Sequence, residues 1–122
     1  MTKLLLDAKA LSEIAIQGLQ EIKGKSIIRM DLRESDGAVT DFFIICTGTS
    51  DKHVQSLADS VMEFMKKEDE RPLSKEGIES GEWVLLDYVN VVVHIFQEET
   101  RQFYRLESLW GDAKIDTYED VG

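Results

Sequence analysis

The sequence predicts a single α/β domain in which helices pack on a mixed β-sheet of about five strands. Stretches with apolar residues at helical spacing alternate along the chain with stretches rich in β-branched and aromatic residues. A predicted helix separates the second strand from the later ones, so at least one crossover and a mixed sheet are expected. The length of 122 residues suffices for one hydrophobic core.

The first predicted element is an amphipathic helix over residues 3–23. Its apolar face is formed by Leu4, Ala8, Leu11, Ala15, Leu19 and Ile22. Gly24 is placed to cap its C-terminal end. This face is expected to pack on the sheet; the alternative is that the wide apolar stripe contributes to a dimer.

Two strands are predicted next, over residues 26–32 and 39–47, and they should pair antiparallel. The first alternates in polarity and should be half-buried, whereas the second is apolar enough to be central. The second contains the only cysteine, Cys46. Its apolar surroundings favour a buried structural thiol over a nucleophile.

A second helix is predicted over residues 51–68, directly after Gly48-Thr49-Ser50. Ser50 or Asp51 can accept hydrogen bonds from the free N–H groups of the first turn. Ordinary capping explains this loop; the alternative is that its backbone N–H groups hold a phosphate. The chain lacks the Walker lysine pattern and a glycine-rich dinucleotide motif.

The hairpin predicted over residues 83–96 is the most distinctive stretch of the chain. It follows a short edge strand predicted within residues 73–77. An indole at Trp83, a carboxylate at Asp87 and an imidazole at His94 interrupt its β-formers. A plain core hairpin needs none of these groups, so we expect the hairpin to carry a surface that binds a protein rather than converts a substrate.

A short helix beginning at residue 98 ends the predicted domain. Phe103, Leu106 and Trp110 are expected to line its buried side. The single domain is predicted to span residues 1–110, and residues 111–122 are predicted to form an acidic, partly flexible tail.

The net charge of −10 is concentrated in the second half of the chain. Residues 1–71 contain 10 bases and 13 acids, a net charge of −3, whereas residues 72–122 contain 4 bases and 11 acids, a net charge of −7. Direct nucleic-acid contact is disfavoured because phosphate contacts need Lys and Arg, while a basic protein partner would be attracted. The alternative is that the acidity only keeps the protein soluble.

Composition also bears on location, metals and cofactors. No apolar run approaches the roughly 20 residues that span a bilayer, and the N-terminus lacks a signal-peptide pattern. We therefore expect a cytoplasmic protein without membrane contact. Two histidines and one cysteine give no ligand cluster at zinc-site spacing, so no metal and no cofactor are predicted.

Candidate catalytic groups are sparse. Asp41 and Asp87 would lie on strands, where paired carboxylates can hold Mg²⁺ for phosphoryl transfer. The sequence shows no compact Asp-x-Asp pair and no third ligand, and no serine lies in a nucleophile-elbow pattern. A lone His94 is more typical of a buried or interface histidine than of a general base.

Four sequence blocks, in order, resemble the ribosomal silencing factor family, also called the Iojap-like family. The blocks are DFFIICTGTSDKHV at residues 41–54, GEWVLLDY at 81–88, VVVHIF at 91–96 and RQFYRLESLW at 101–110. The resemblance covers about residues 4–112. It implies a mixed α/β fold akin to nucleotidyltransferases that lacks their catalytic carboxylate set.

The resemblance also implies a function. Such a protein binds the large ribosomal subunit through ribosomal protein fourteen, on the face that meets the small subunit, and thereby blocks subunit joining and represses translation. A homodimer in the free state is implied as well. Two alternatives remain: a nucleotidyltransferase-like enzyme that uses the Gly-Thr-Ser loop with Asp41 and Asp87, and a stress-related dimerisation module without a ribosomal role.

The motif match assigns eight candidate partner contacts. They are Trp83, Asp87, Tyr88, His94, Phe96, Glu99, Arg101 and Tyr104. Trp83 and Tyr88 can be core residues, interface anchors or both. The chain departs from the family pattern at Val89-Asn90, where Gly-Asp is usual, and at Gln97-Glu98, where His-Pro is common. Because valine resists the positive φ of a tight hairpin turn, the turn type is left open.

Overall fold

The computed structural model describes residues 6–111 and 113–121, which contain three α-helices, six strands and one 3₁₀ segment. The helices are α1 (Ala8–Glu21), α2 (Asp51–Lys66) and α3 (Glu98–Tyr104), and the 3₁₀ segment is Leu106–Trp110. The strands are β1 (Lys25–Asp31), β2 (Phe42–Gly48), β3 (Ser74–Glu76), β4 (Trp83–Asp87), β5 (Val91–Gln97) and β6 (Lys114–Thr117). Residues 1–5, where the first helix was predicted to begin, lie outside this part of the chain.

The strands form one mixed sheet in the order β3-β4-β5-β2-β1-β6. β2 and β5 are parallel, and α2 lies in the connection between them; the other pairs are antiparallel. The predicted α/β class, the crossover and the antiparallel pairing of β1 with β2 are confirmed. The sheet has six strands rather than about five.

The helices α1 and α2 pack together on one face of the sheet, which we call the helix side. The buried residues there are Leu11, Ala15, Ile16, Leu19, Ile27, Phe42, Ile44, Cys46, Val54, Leu57, Ala58, Val61, Met65, Val84, Leu86, Tyr88, Val91, Val93 and Ile95. A Cβ added to Gly18 of α1 would lie 3.0 Å from the Val61 Cα of α2, so the two helices meet closely. The prediction that α1 packs on the sheet is confirmed.

The end of α1 differs from the sequence prediction. Lys23, not Gly24, takes the left-handed conformation, with φ of 59°. The Lys23 N–H donates to the Gln20 carbonyl and the Gly24 N–H to the Leu19 carbonyl, as in a Schellman motif. Gly24 is instead required for space, because a Cβ there would lie 2.5 Å from the Cys46 Sγ. Cys46 is fully buried as predicted, and burial raises the pKa of its thiol to about 12.

The opposite face, which we call the open face, has a smaller core. Met30, Leu32, Ile45 and Phe96 are buried there, and Leu106 and Trp110 of the 3₁₀ segment pack against them. The covering elements are short: α3 has 7 residues and the 3₁₀ segment has 5. Part of this face therefore remains at the molecular surface.

Strand β6 lies where the sequence analysis expected a partly flexible tail. It pairs antiparallel with β1, and the Arg29 guanidinium binds the Asp116 carboxylate at 2.7 Å. The Tyr118 N–H adds a hydrogen bond to the Ile27 carbonyl at 3.1 Å. The side chains of β6 are all exposed, so its sequence shows no alternation of buried and exposed residues. Its partners in β1 lie more than 80 residues earlier in the chain, so no local signal indicates this strand.

The hairpin turn between β4 and β5 is a strained γ-turn. The Asn90 N–H donates to the Tyr88 carbonyl at 2.9 Å, and the central residue, Val89, has φ of 74°. The Val89 N–H is held by the Asp87 carboxylate and its carbonyl by the Thr40 hydroxyl, both at 2.8 Å. These contacts hold a β-branched residue in a conformation that usually favours glycine.

Candidate functional site

The hairpin presents alternate residues on the open face. On β4 these are Trp83, Leu85 and Asp87, which pair with Phe96, His94 and Val92 of β5. Paired residues of adjacent strands project on the same side of a sheet. The three β4 side chains are half-buried, whereas those of β5 are buried. β4 therefore brings apolar surface towards solvent near the edge of the sheet.

Aromatic side chains of α3 extend this surface. The Trp83 ring stacks on Phe96 at 4.9 Å and contacts the Tyr104 ring at 4.7 Å, and Tyr104 contacts Phe103 at 5.1 Å. Phe103 is 81% exposed and Tyr104 48%. We call Trp83, Leu85, Phe103 and Tyr104 the apolar patch.

A buried histidine orients the indole of the patch. The Trp83 Nε1–H donates to the His94 Nδ1 at 3.0 Å. An imidazole that accepts at Nδ1 carries its proton on Nε2 and is neutral. Burial lowers the pKa of His94 to about 4, in agreement with a neutral ring. The hydrogen bond and the stack on Phe96 together restrict the rotation of Trp83.

Carboxylates border the apolar patch. Glu76 of β3 pairs with Leu85, so its side chain lies on the open face, next to the patch. Asp87 lies on the same face at the end of β4, where its carboxylate also holds the Val89 N–H. An apolar surface with acidic neighbours favours a partner that presents apolar and basic groups.

The eight predicted contacts fall into three groups. Trp83, Asp87 and Tyr104 reach the surface of the open face, and His94 and Phe96 lie beneath them, 4% and 0% exposed. Tyr88, Glu99 and Arg101 lie elsewhere, and they are described next.

Tyr88 belongs to the helix-side core, where burial raises the pKa of its hydroxyl to about 12. Arg101 is buried and anchors α3, since its Nη1 donates to the Ser26 carbonyl and the Thr47 hydroxyl at 2.7 Å each. Glu99 is exposed in the first turn of α3. None of the three contributes to the apolar patch.

Two residues of the patch were missed or misplaced by the sequence analysis. Leu85 lies two residues from both Trp83 and Asp87 in the same strand, and this spacing indicates that the three side chains share one face of the sheet. Phe103 was predicted on the buried side of a helix continuing to residue 110. The helix instead ends at Tyr104, and Arg105 turns the chain with φ of 46°. Leu106 and Trp110 then pack on the sheet as predicted, while Phe103 points to solvent.

The residues of the enzymatic alternative do not converge. Asp41 precedes β2 and Asp87 ends β4 at the same end of the sheet, whereas Gly48 ends β2 at the other. The seven residues of β2, at about 3.3 Å each, separate the two sites by about 20 Å. Within residues 6–111 and 113–121, no group of three or more His, Cys, Asp or Glu side chains is arranged to hold a metal ion.

The loop before α2 uses its polar groups internally. The Ser50 hydroxyl accepts from the His53 N–H at 3.0 Å, which confirms the predicted cap. The Thr49 N–H donates to the His53 Nδ1 at 2.8 Å, and the His53 Nε2 lies 2.7 Å from the Ile22 carbonyl at the end of α1. These donors are thus engaged in joining α2 to α1, and the geometry favours capping over a phosphate site.

Comparison with models of known protein families shows which family the chain belongs to. Residues 6–121 match the family model described as "Ribosomal silencing factor during starvation". The chain belongs to the ribosomal silencing factor family. The family resemblance drawn from the four sequence blocks is therefore confirmed, and the match includes β6.

Individual relatives agree with this assignment. Ribosomal silencing factor RsfS of Chromobacterium violaceum is 39% identical over 112 residues, which cover 89% of this chain and 88% of that protein. A crystal structure of a Chromobacterium violaceum protein, 39% identical, superposes with a TM-score of 0.83 over 87% of this chain and 88% of its own. A mouse protein named "Mitochondrial assembly of ribosomal large subunit protein 1" is 35% identical over 80 residues, covering 63% of this chain and 35% of its own length.

Among the described residues, no helix is both long and apolar enough to cross a membrane.

Proposed function

We propose that the protein represses translation by binding the large ribosomal subunit through the apolar patch on its open face. The direct partner is a basic ribosomal protein at the face that meets the small subunit. The bound protein occupies the volume that the small subunit needs, so the subunits do not join. The mechanism is steric and requires no chemical step.

The observation that carries the proposal is the exposure of clustered aromatic side chains. Phe103 and Tyr104 are 81% and 48% exposed and contact each other, and Tyr104 also contacts Trp83, which a hydrogen bond to His94 holds in place. Aromatic anchors dominate the binding energy of many protein interfaces, and a contiguous exposed apolar patch is typical of an interaction site. A rigid indole also loses little conformational entropy on binding.

Charge supports a basic partner. The net charge is −10, and Glu76 and Asp87 border the patch. Acidic groups at the rim of an interface accelerate association with a basic surface, and the effect weakens as salt screens it. Binding is therefore expected to slow at high ionic strength. The name of the mouse relative refers to the large ribosomal subunit, which agrees with the choice of subunit.

Three further features complete the proposal. The protein acts in the cytoplasm. It has no catalytic activity of its own, because its candidate carboxylates and its Gly-Thr-Ser loop lie at opposite ends of the sheet. In the free state it forms a homodimer, as the family resemblance implies.

The experiment that tests the proposal removes exposed aromatic surface without disturbing the core. The Phe103→Ala, Tyr104→Ala double variant should co-sediment with purified large subunits at least about tenfold more weakly than the wild type. It should also lose most of its inhibition of subunit joining. Its unfolding free energy should fall by no more than about 1 to 2 kcal/mol, because Phe103 is 81% and Tyr104 48% exposed.

The matched control is Val39→Ala. Val39 is 86% exposed but precedes β2, at the end of the sheet opposite α3. This variant should bind as the wild type does. A wild-type protein that fails to co-sediment with large subunits would exclude the proposed function. Unchanged binding by the double variant would move the binding site away from the apolar patch.

A further inference from the structure

Among the residues that the structure describes, two hydrogen-bond donors buried on the open face have no acceptor. The His94 Nδ1 accepts from Trp83, so the proton of the neutral ring is on Nε2, and this second nitrogen is buried without a partner among the described residues. The Nε1–H of Trp110 is also buried, and within the described residues it too has no hydrogen-bond partner. Buried polar groups in folded proteins are nearly always paired, so each such donor calls for an explanation.

The two side chains lie against the same ring. Phe43 of β2 contacts His94 at 5.1 Å and Trp110 at 6.4 Å between ring centroids, both in edge-on geometry. His94 also contacts Trp83 at 5.9 Å, so the pair of donors adjoins the apolar patch. Both donors therefore belong to one aromatic cluster around Phe43.

The segment that carries Trp110 is suited to a small movement. It is a five-residue 3₁₀ segment that follows Arg105, whose φ is 46°, and precedes Gly111. It contacts the sheet through Leu106 and Trp110, whereas Ser108 and Leu109 are exposed. The hydrogen bonds of 3₁₀ helices have poorer geometry than those of α-helices, so a short 3₁₀ segment resists displacement less. A tilt of this segment would uncover the ring of Phe43.

We propose that the His94 Nε2–H and the Trp110 Nε1–H form an acceptor-binding site beside Phe43, which takes an oxygen atom of the docked partner. The site rests on the proposed function and adds a chemical requirement to it. The partner must insert a hydrogen-bond acceptor next to the surface that covers the apolar patch, while the 3₁₀ segment tilts to admit it.

The acceptor is uncharged. Both donors are neutral, and the nearest charged groups of the 3₁₀ segment and α3, Glu107 and Arg101, are paired with each other at 3.6 Å. A backbone carbonyl, a side-chain amide or a hydroxyl of the basic partner meets these conditions. A carboxylate of the partner does not, because its charge would be buried beside neutral donors while the Arg101 guanidinium is already engaged by Glu107, Ser26 and Thr47.

The test uses a property of donors that lack a partner. Removing such a donor costs the free protein no hydrogen bond, whereas it costs the complex one. Trp110→Phe removes the indole N–H and keeps an aromatic ring. His94→Asn removes the distal N–H and keeps an acceptor near the position of Nδ1 for Trp83. Thermal unfolding and co-sedimentation with purified large subunits are measured for both variants.

Each variant should bind large subunits about five- to tenfold more weakly, the effect of one lost neutral hydrogen bond. The unfolding temperature of Trp110→Phe should fall by no more than that of the control variant Tyr88→Phe. His94→Gln, which returns an amide N–H near the position of Nε2, should recover most of the affinity lost in His94→Asn.

The matched control is Tyr88→Phe. The Tyr88 hydroxyl is likewise buried without a partner in the described residues, but it lies in the helix-side core. Its removal should leave both stability and affinity close to those of the wild type. If the wild type binds and Trp110→Phe and His94→Asn bind equally well, the acceptor site is excluded while the proposed function stands. If the wild type does not bind, both are excluded.

Discussion

The two faces of the sheet differ in how completely they are closed. The helix side is covered by α1 and α2, of 14 and 16 residues, whose apolar stripes bury a continuous core. In the part of the chain that the structure describes, the helices covering the open face are α3 and the 3₁₀ segment, of 7 and 5 residues. It holds a buried imidazole, exposed aromatic rings and two donors that have no partner within residues 6–111 and 113–121.

This difference suggests a division of labour within one sheet. Burial of apolar area on the helix side supplies most of the stability, because it removes large aliphatic side chains from water. The open face gains less from burial and retains polar groups that a stability-driven core would exclude. Such a face can lose surface to a partner without unfolding the domain.

The largest expected effect compares one leucine on each face. Leu57 of α2 is 0% exposed on the helix side, and Leu57→Ala should lower the unfolding free energy by about 3 to 4 kcal/mol. Leu85 of β4 is half-buried on the open face, and Leu85→Ala should cost about 1 kcal/mol. Denaturant titration at pH 7 measures both. Equal losses would contradict the assignment of stability to the helix side.

The second prediction concerns pH and the open face. Burial lowers the pKa of His94 from 6.5 to about 4, so the unfolded chain binds more protons between these values. The stabilising contribution of the neutral ring is therefore complete above about pH 6.5 and is lost as the pH falls towards 4. Between pH 7 and 5 the loss should be about 2 kcal/mol.

The control for this pH dependence is His94→Asn, which lacks the titrating ring. The difference in unfolding free energy between the wild type and the variant should shrink by the same amount over that range. A difference that stays constant from pH 7 to 5 would show that the ring of His94 is not held neutral by burial.

The smallest expected effect is at the turn that joins the two strands of the hairpin. Val89 has φ of 74° and is 54% exposed, so Val89→Gly relieves backbone strain and loses little burial. The relief of strain is partly offset because glycine has more freedom in the unfolded chain, so the unfolding free energy should rise by only about 0.5 to 1 kcal/mol. Binding to large subunits should not change, because the turn lies at the far end of β4 from Trp83 and α3. Weaker binding by this variant would extend the binding surface to the turn.

Much of the fold was predictable because periodicity and caps are local signals. The boundaries of α2 and its Ser50 cap, the edge strand β3 and the hairpin all follow from residues close in sequence. β6 was not predictable in this way. Its exposed side chains show no burial pattern, and it is held to β1 by Arg29 and by backbone pairing across more than 80 residues.

The candidate site was only partly predictable. The hairpin was recognised as the distinctive stretch, and Trp83 and Tyr104 do reach its surface. Which side of the strand faced the helices could not be read, because β4 and β5 are apolar at consecutive positions. The predicted contact Tyr88 is therefore buried on the helix side. Leu85, which was not predicted as a contact, lies in the apolar patch.

The sequence by itself determined the class of fold, the order of its elements and membership of a family, because these depend on local periodicity and on residues in a fixed order. Only the tertiary structure decided that Phe103 points to solvent and that Arg101 anchors α3. It also decided that the His94 Nδ1 accepts from Trp83, whereas the His94 Nε2 has no partner in the described part of the chain. Those outcomes depend on one backbone reversal at Arg105 and on which strands become neighbours. Contacts between residues distant in the chain have no signature in its local pattern.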